Sequence, residues 1–168
     1  MSKLALLLLA SVVLAGCGTM GAPQTRDEYR KALSGGIPLT MVETHTVNRR
    51  FEDVVKVVTQ KAAECLNVDS YMKRSEGGIT TMNTKEEYRT VVRTVDSNLA
   101  ELTTQFQWRG VTTLQKVPEG GFYSQAMDIE RIAANKTKLT YYGPSFRNIT
   151  WPAFKKWSEG QANEPCPS

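Results

Sequence analysis

The chain has little of what catalytic and metal sites are usually built from. Its 168 residues include three cysteines and one histidine, His45. A Ser-His-Asp or Cys-His arrangement needs that imidazole beside a nucleophile, and no serine lies in a Gly-x-Ser-x-Gly pattern. Zinc sites use several Cys or His ligands, and neither Cys-x-x-Cys nor His-Glu-x-x-His occurs. We therefore predict that the protein is not an enzyme and uses no metal ion or other cofactor.

Long apolar runs and clustered charge are also missing. The apolar run at residues 4–13 is shorter than the roughly 20 residues that cross a bilayer as a helix. The 21 basic and 17 acidic residues are interspersed and leave a net charge of +4. Because nucleic-acid-binding proteins usually carry a patch or stripe of Lys and Arg, we predict no nucleic acid partner.

The first seventeen residues carry the most specific signal in the sequence. Lys3 precedes the apolar run, and the sequence Leu-Ala-Gly-Cys follows it at residues 14–17. A basic residue, a short apolar segment and small residues before a cleavage site are the parts of a secretory signal peptide. Residues 14–17 resemble the lipobox of bacterial lipoproteins, in which a peptidase cuts before a cysteine that carries diacylglycerol.

This resemblance implies a membrane anchor and a location. Residues 1–16 would be removed, and acyl chains on Cys17 would hold the protein on a membrane. Asp directly after the acylated cysteine tends to retain such proteins in the inner membrane, and here that position is Gly18. The resemblance therefore implies the cell outer membrane of a Gram-negative bacterium, with the domain facing the periplasm. An ordinary signal peptide cut elsewhere, or a buried helix, remains open.

The cysteine count changes if Cys17 carries lipid, because Cys65 and Cys166 then remain. Two thiols in an oxidising compartment favour one disulfide. It would close a loop of about 100 residues and stabilise the fold by roughly 4 to 5 kcal/mol in the chain-entropy model. The alternative is a buried free Cys65 with Cys166 in a frayed C-terminal end.

Composition divides the chain into three parts. Residues 1–16 are the predicted signal peptide, and residues 17–36 the acylated N-terminus, a tether and a short helix. Thr25 and Glu28 have the spacing of a capping box for that helix, which we interpret as a surface spacer, with a docking element as the alternative. Residues 37–168 have the length and composition of a single α+β domain.

Residues 50–66 show the clearest helical pattern. Apolar side chains recur at i, i+3, i+4 and i+7 spacing, and polar side chains occupy the other side. Because valine disfavours an isolated helix, we expect packing on a sheet to stabilise it. The apolar stripe consists of Phe51, Val54, Val55, Val58, Ala62, Cys65 and Leu66.

Strand patterns cover residues 38–47 and most of residues 68–142, which are rich in Thr, aromatic and β-branched residues. Turn residues divide the second segment into paired runs. Within residues 100–108, apolar and polar side chains alternate, which predicts a strand with one dry face. The predicted pairs are 69–75 with 79–84, 88–96 with 99–109, and 122–133 with 137–142.

A short final helix is predicted at 152–159, with an aromatic stripe of Trp151, Phe154 and Trp157 that fits either the core or a ligand site. We therefore predict an α+β fold. It has an antiparallel β-sheet of about six or seven strands, one long helix after the first strand and a short C-terminal helix. This order is similar to that of helix-grip folds of the START and Bet v 1 kind, which implies a curved sheet wrapped around a helix over a cavity.

Three functions remain open, and we favour the first. It is a non-catalytic interaction or accessory module of the cell envelope, which predicts an envelope protein partner and an exposed apolar patch or unpaired edge strand. The second is a carrier or sensor for an apolar or lipid-like ligand. The third is an enzyme with polar groups converging on His45. The second function predicts an apolar pocket lined by Phe106, Trp108, Met127, Tyr141 and Trp157.

Overall fold

The structure, a computed structural model, describes residues 21–76, 79–109, 116–146 and 148–167, with the backbone alone over 72–84. Cys17 and the predicted signal peptide lie outside the described residues. The predicted α+β class is confirmed. In chain order the elements are α1 (Arg26–Ser34), β1 (Thr40–Val47), α2 (Phe51–Cys65), β2 (Asp69–Glu76), β3 (Ile79–Thr94), β4 (Leu99–Arg109), β5 (Phe122–Ala133), β6 (Lys136–Pro144) and α3 (Thr150–Ser158).

The described strands form one antiparallel sheet in the order β1-β6-β5-β4-β3-β2. Strands β2 to β6 are successive neighbours, each paired with the next along the chain. The first strand lies at the far edge beside β6, so α2 must carry the chain across the sheet to β2 at the other edge. The predicted antiparallel sheet is therefore confirmed.

Among the described residues, this sheet has six strands, the lower of the two predicted numbers, six and seven. Segments 79–84 and 88–96 were predicted as separate strands, but residues 79–94 form one continuous strand, β3. The charged residues between them do not interrupt it, because their side chains pair across the surface. Lys85 Nζ lies 2.8 Å from Glu87 and 3.0 Å from Asp69. Strands β4 and β5, in contrast, begin and end at the predicted residues.

One face of the sheet packs against α2 and α3 and forms the main core. The apolar stripe of α2 lies against the strands, and the aromatic stripe of α3 is buried beside it. Each large apolar side chain that is fully buried contributes about 1.5 to 3 kcal/mol. The largest fully buried apolar side chains of this core are Val54, Val58, Leu102, Met127, Ile129, Leu139, Tyr141, Phe154 and Trp157.

No described helix is long and apolar enough to cross a membrane.

The first helix packs on the opposite face of the sheet. Thr25 caps it, because its hydroxyl accepts the Glu28 backbone N–H at 3.2 Å. Tyr29 and Leu33 of α1 are buried against Ala126 and Tyr142. Ala126 alternates along β5 with the core residue that follows it, so the two side chains point to opposite faces. The predicted fold counted two helices and left this short helix outside the domain as a surface spacer; its packing on the sheet corrects both points.

Distant ion pairs explain why the sequence did not reveal this packing. Arg26 and Arg30 on the sheet side of α1 both pair with Asp128 of β5. Charged residues in a short helix are typical of a solvent-exposed face. Their partner lies about 100 residues further along the chain, so no local pattern connects them.

Candidate functional site

The C-terminal tail is tied to the end of α2 by a disulfide. Cys65 Sγ lies 2.04 Å from Cys166 Sγ, with 5.2 Å between the two Cα atoms. The predicted disulfide is confirmed. It holds Pro167 beside an opening between the helices and the sheet.

That opening is a cleft of about 350 Å³ between the end of α2, the start of α3 and the inner face of the sheet. Its volume is near the lower limit for small-molecule pockets, which span about 300 to 1,000 Å³. Its rim is apolar, and its floor is polar. We call it the disulfide cleft and define it by Leu66, Val68, Tyr88, Thr104, Gln125 and Thr150.

The floor of the disulfide cleft is a hydrogen-bonded network centred on Gln125. Its Nε2 donates to Thr104 Oγ1 at 3.1 Å. Its Oε1 accepts from Tyr141 Oη at 3.1 Å and from Thr150 Oγ1 at 2.6 Å. Burial raises the pKa of Tyr141, so this hydroxyl stays protonated and remains a donor. These polar groups satisfy one another, so a ligand would bind mainly by shape and apolar contact.

The structure does not bring the five predicted pocket residues together. Met127, Tyr141 and Trp157 are fully buried in the core beneath α2 and α3. Tyr141 reaches the disulfide cleft only through its hydrogen bond to the floor. Phe106 and Trp108 lie near the end of β4 and line a second cavity.

The residues that do line the disulfide cleft were not predicted as site residues. Thr104 and Gln125 are polar residues at strand positions whose neighbours on the same face, Leu102 and Met127, are fully buried. Polar side chains at inward positions were the signal available. Tyr88 carried no such signal, because it lines a cleft only when the C-terminal tail and α3 pack beside it.

The second cavity, of about 340 Å³, lies where β4 ends and β5 begins, beside α1. Its walls come from both the helix and the strands, and half of its lining residues are aromatic. We call it the aromatic groove and define it by Tyr29, Leu33, Phe106, Trp108, Phe122 and Tyr123.

Aromatic contacts hold the groove together. The ring centroid of Phe106 lies 5.1 Å from that of Trp108 and 5.7 Å from that of Phe122. Tyr29 stacks on Tyr123 at 5.6 Å. Phe106 also stacks on Tyr88 of the disulfide cleft, again at 5.6 Å, so a wall residue of one cavity contacts a wall residue of the other.

His45 lies on β1, away from both cavities. Its Nε2 is 3.0 Å from Glu159 Oε1, and its ring meets Trp151 edge-on. Among the residues that the structure describes, no serine or cysteine side chain is hydrogen-bonded to the imidazole, and no group of three His, Cys, Asp or Glu side chains could hold a metal ion. An imidazole–carboxylate pair supplies a base without a nucleophile.

Comparison with known proteins identifies no family. No protein-family model matches the chain, and no curated protein matches it. Among solved structures, the chain is similar to hypothetical protein jhp0584 from Helicobacter pylori, with 10% identity and a TM-score of 0.43 over 88% of this chain and 99% of that one. It is also similar to DynU16 from the dynemicin biosynthetic locus, with 12% identity and a TM-score of 0.35 over 78% and 49%. Likenesses this weak carry no argument about function.

Proposed function

We propose that the protein is a lipoprotein of the outer membrane of a Gram-negative bacterium, held by acyl chains on Cys17 with its folded domain facing the periplasm. The order of charge, apolar run and lipobox in residues 1–17 supports the anchor, and Gly18 supports outer-membrane delivery. The disulfide between Cys65 and Cys166 supports an oxidising compartment, because cytosolic thiols are kept reduced.

Mass spectrometry of the mature N-terminus tests this location. The protein from the membrane fraction should begin at Cys17 and carry acyl groups on that residue. Cys17→Ser should leave the outer membrane fraction and keep its signal peptide. The Cys65→Ala/Cys166→Ala variant is the matched control and should keep the lipid. A native N-terminus at Met1, or an unmodified Cys17, would contradict the proposal.

The proposed role is that of a non-catalytic interaction or accessory module, and the exposed apolar edge at β1 carries this proposal. β1 pairs with β6 on one side and, among the described residues, with no strand on the other. Val42 is 41% exposed on this edge, and Leu39 just before the strand is 71% exposed. Because an edge strand presents free backbone N–H and C=O groups, an extended segment of an envelope protein can add to it.

A photo-reactive amino acid at position 42 tests the edge in intact cells. We expect a covalent adduct between β1 and one envelope protein. The same substitution at Val95, which is 45% exposed in the β3–β4 hairpin, is the control and should give none. Equal labelling at both positions, or labelling that survives Thr44→Pro, would contradict strand addition, because proline removes a backbone donor from the edge.

A second function, binding of an apolar or lipid-like ligand, is favoured by the disulfide cleft. In the helix-grip arrangement, a helix and a curved sheet enclose a cavity, and this cleft lies between α2, α3 and the sheet. Leu66 and Val68 at its rim suit an apolar ligand, because the polar groups of its floor already bond to one another.

Binding of the fluorescent probe N-phenylnaphthylamine tests the cleft. Val68→Phe fills the rim at a position that is 46% exposed, so it should weaken probe binding several-fold without unfolding the protein. Val95→Phe, at a similar exposure away from the cleft, should bind the probe as the wild type does. Equal binding by all three proteins would exclude the cleft as the ligand site.

A further inference from the structure

The aromatic groove lies where the chain leads back toward Cys17. Ala22 and Pro23 line it together with the aromatic side chains. Gly21 follows Cys17 by four residues, and each residue extends the chain by at most about 3.6 Å, so the groove lies within about 20 Å of the cysteine. A lipid on Cys17 therefore holds the groove near the membrane surface.

The side chains of the groove suit the boundary between lipid headgroups and acyl chains. Phe106, Phe122 and Leu33 give it hydrocarbon walls. Trp108 combines a large apolar ring with an Nε1–H that donates to Glu86 at 2.8 Å, and Trp and Tyr side chains concentrate at membrane interfaces for this reason. Trp108 is 38% exposed, so much of its apolar surface faces solvent.

We propose that the aromatic groove is a membrane-docking surface that takes up acyl chains of the leaflet holding the Cys17 lipid. The inference rests on the acylation proposed above and goes beyond it, because an anchor alone leaves the domain free to turn. Docking fixes its orientation. The end of β4 faces the membrane, and the β3–β4 hairpin, at the other end of that strand, faces the periplasm.

The tryptophans make this orientation measurable because they differ in burial. Trp108 is 38% exposed, whereas Trp151 and Trp157 are 2% and 0% exposed. The full acylated protein is reconstituted in phosphatidylethanolamine–phosphatidylglycerol vesicles whose acyl chains carry bromine, which quenches indole fluorescence at short range. We expect the Trp108 emission to be quenched by brominated lipid and protected from iodide in the water. Trp108→Phe should abolish the bromine quenching.

Two glutamate variants separate docking from a general effect of charge. Ile37, which lines the groove, is 47% exposed, and Val95 in the far hairpin is 45% exposed, so neither substitution removes a buried side chain. Ile37→Glu should reduce bromine quenching several-fold, because a carboxylate resists transfer to the acyl region. Val95→Glu should leave the quenching unchanged.

Flotation of the vesicles, measured on the same samples, distinguishes the two proposals. Protein that floats but shows no bromine quenching, with Trp108 open to iodide, would overturn the docking surface and leave the anchor intact. Protein that does not float would overturn the anchor and the docking surface with it. A Trp108 that is protected from both quenchers would show another occupant, such as a second copy of the chain, and would also overturn the proposal.

Discussion

Asp128 joins α1 to the sheet through two arginines. Its Oδ2 lies 2.6 Å from Arg30 Nη2, and its Oδ1 accepts from Arg26 Nη2. Arg26 also reaches Glu101 at 3.2 Å and the Met127 carbonyl at 3.0 Å. The Asp128 side chain is only 7% exposed. Removing this carboxylate would take away the partner that the two arginines share, leaving Arg26 with Glu101 and Arg30 with the exposed Asp27.

Asp128→Asn should therefore lower the free energy of unfolding by about 3 to 5 kcal/mol. Glu130→Gln is the matched control on the same face of β5, because Glu130 pairs with Lys138 where both side chains are more than a third exposed. Its loss should be about 0 to 1 kcal/mol. Urea unfolding of the two variants measures both values. Equal losses would show that the ion pairs of Asp128 stabilise the fold no more than an exposed pair does.

Tyr29 makes the fold sensitive to alkaline pH. Its hydroxyl donates to the Ser124 carbonyl at 2.7 Å beneath α1. Burial is the main cause that raises its pKa well above the usual range, and interaction with Tyr141 adds to it. The folded chain thus keeps the proton at a pH where the unfolded chain releases it, near pH 10. The contribution of Tyr29 to stability is complete below that pH and is lost as the pH rises above it.

Tyr29→Phe should flatten this alkaline loss. At neutral pH, the variant should be less stable by about 1 kcal/mol, because the hydrogen bond to Ser124 is gone. Above about pH 10, its free energy of unfolding should fall less steeply than that of the wild type. Denaturant unfolding across this pH range provides the measurement, and parallel curves for the two proteins would contradict the role of Tyr29.

At the scale of elements, the start of β5 depends on one glycine. Gly121 has a φ of +109°, which residues other than glycine rarely adopt. A Cβ at this position would lie 2.4 Å from the Phe106 carbonyl oxygen. The positive φ and the close approach of β4 each exclude a side chain at this residue, where β5 begins beside the aromatic groove.

Gly121→Ala should destabilise the protein by at least about 2 kcal/mol and should shift the emission of Trp108. Gly36→Ala is the matched control, since Gly36 also has a positive φ, +81°, but nothing lies within 4 Å of its added Cβ. Backbone strain alone should cost this control about 1 kcal/mol. A larger loss in the control than in Gly121→Ala would refute the importance of the close approach.

At the scale of the whole molecule, the disulfide joins segments 101 residues apart in sequence. Its removal should mainly increase the entropy of the unfolded chain. We expect Cys65→Ala/Cys166→Ala to lose about 4 to 5 kcal/mol in the free energy of unfolding, and reduction of the wild type to lose a similar amount. Thermal and urea unfolding test this. A loss below about 1 kcal/mol would show that the disulfide contributes little to the stability of the fold.

Local patterns explain how far the fold could be predicted. β4 and β5 begin and end where turn residues and alternation predicted, because both signals lie within a few residues of the strand ends. The long β3 was divided in the prediction, since the charges at residues 85–87 resemble a break until their ion pairs across the sheet are known. The predicted apolar pocket combined residues of the core with residues of the aromatic groove.

Most of the strands, the long amphipathic helix and the cysteine pair could be predicted from the sequence, because periodicity, turn residues and cysteine number are properties of neighbouring or countable residues. Which side of the sheet each helix covers and where the two cavities lie follow only from the packing of the folded chain. Both depend on contacts between residues far apart in sequence, such as Arg26 with Asp128 and Tyr29 with Tyr123. Such contacts form only when the sheet brings distant strands together, so no local pattern records them.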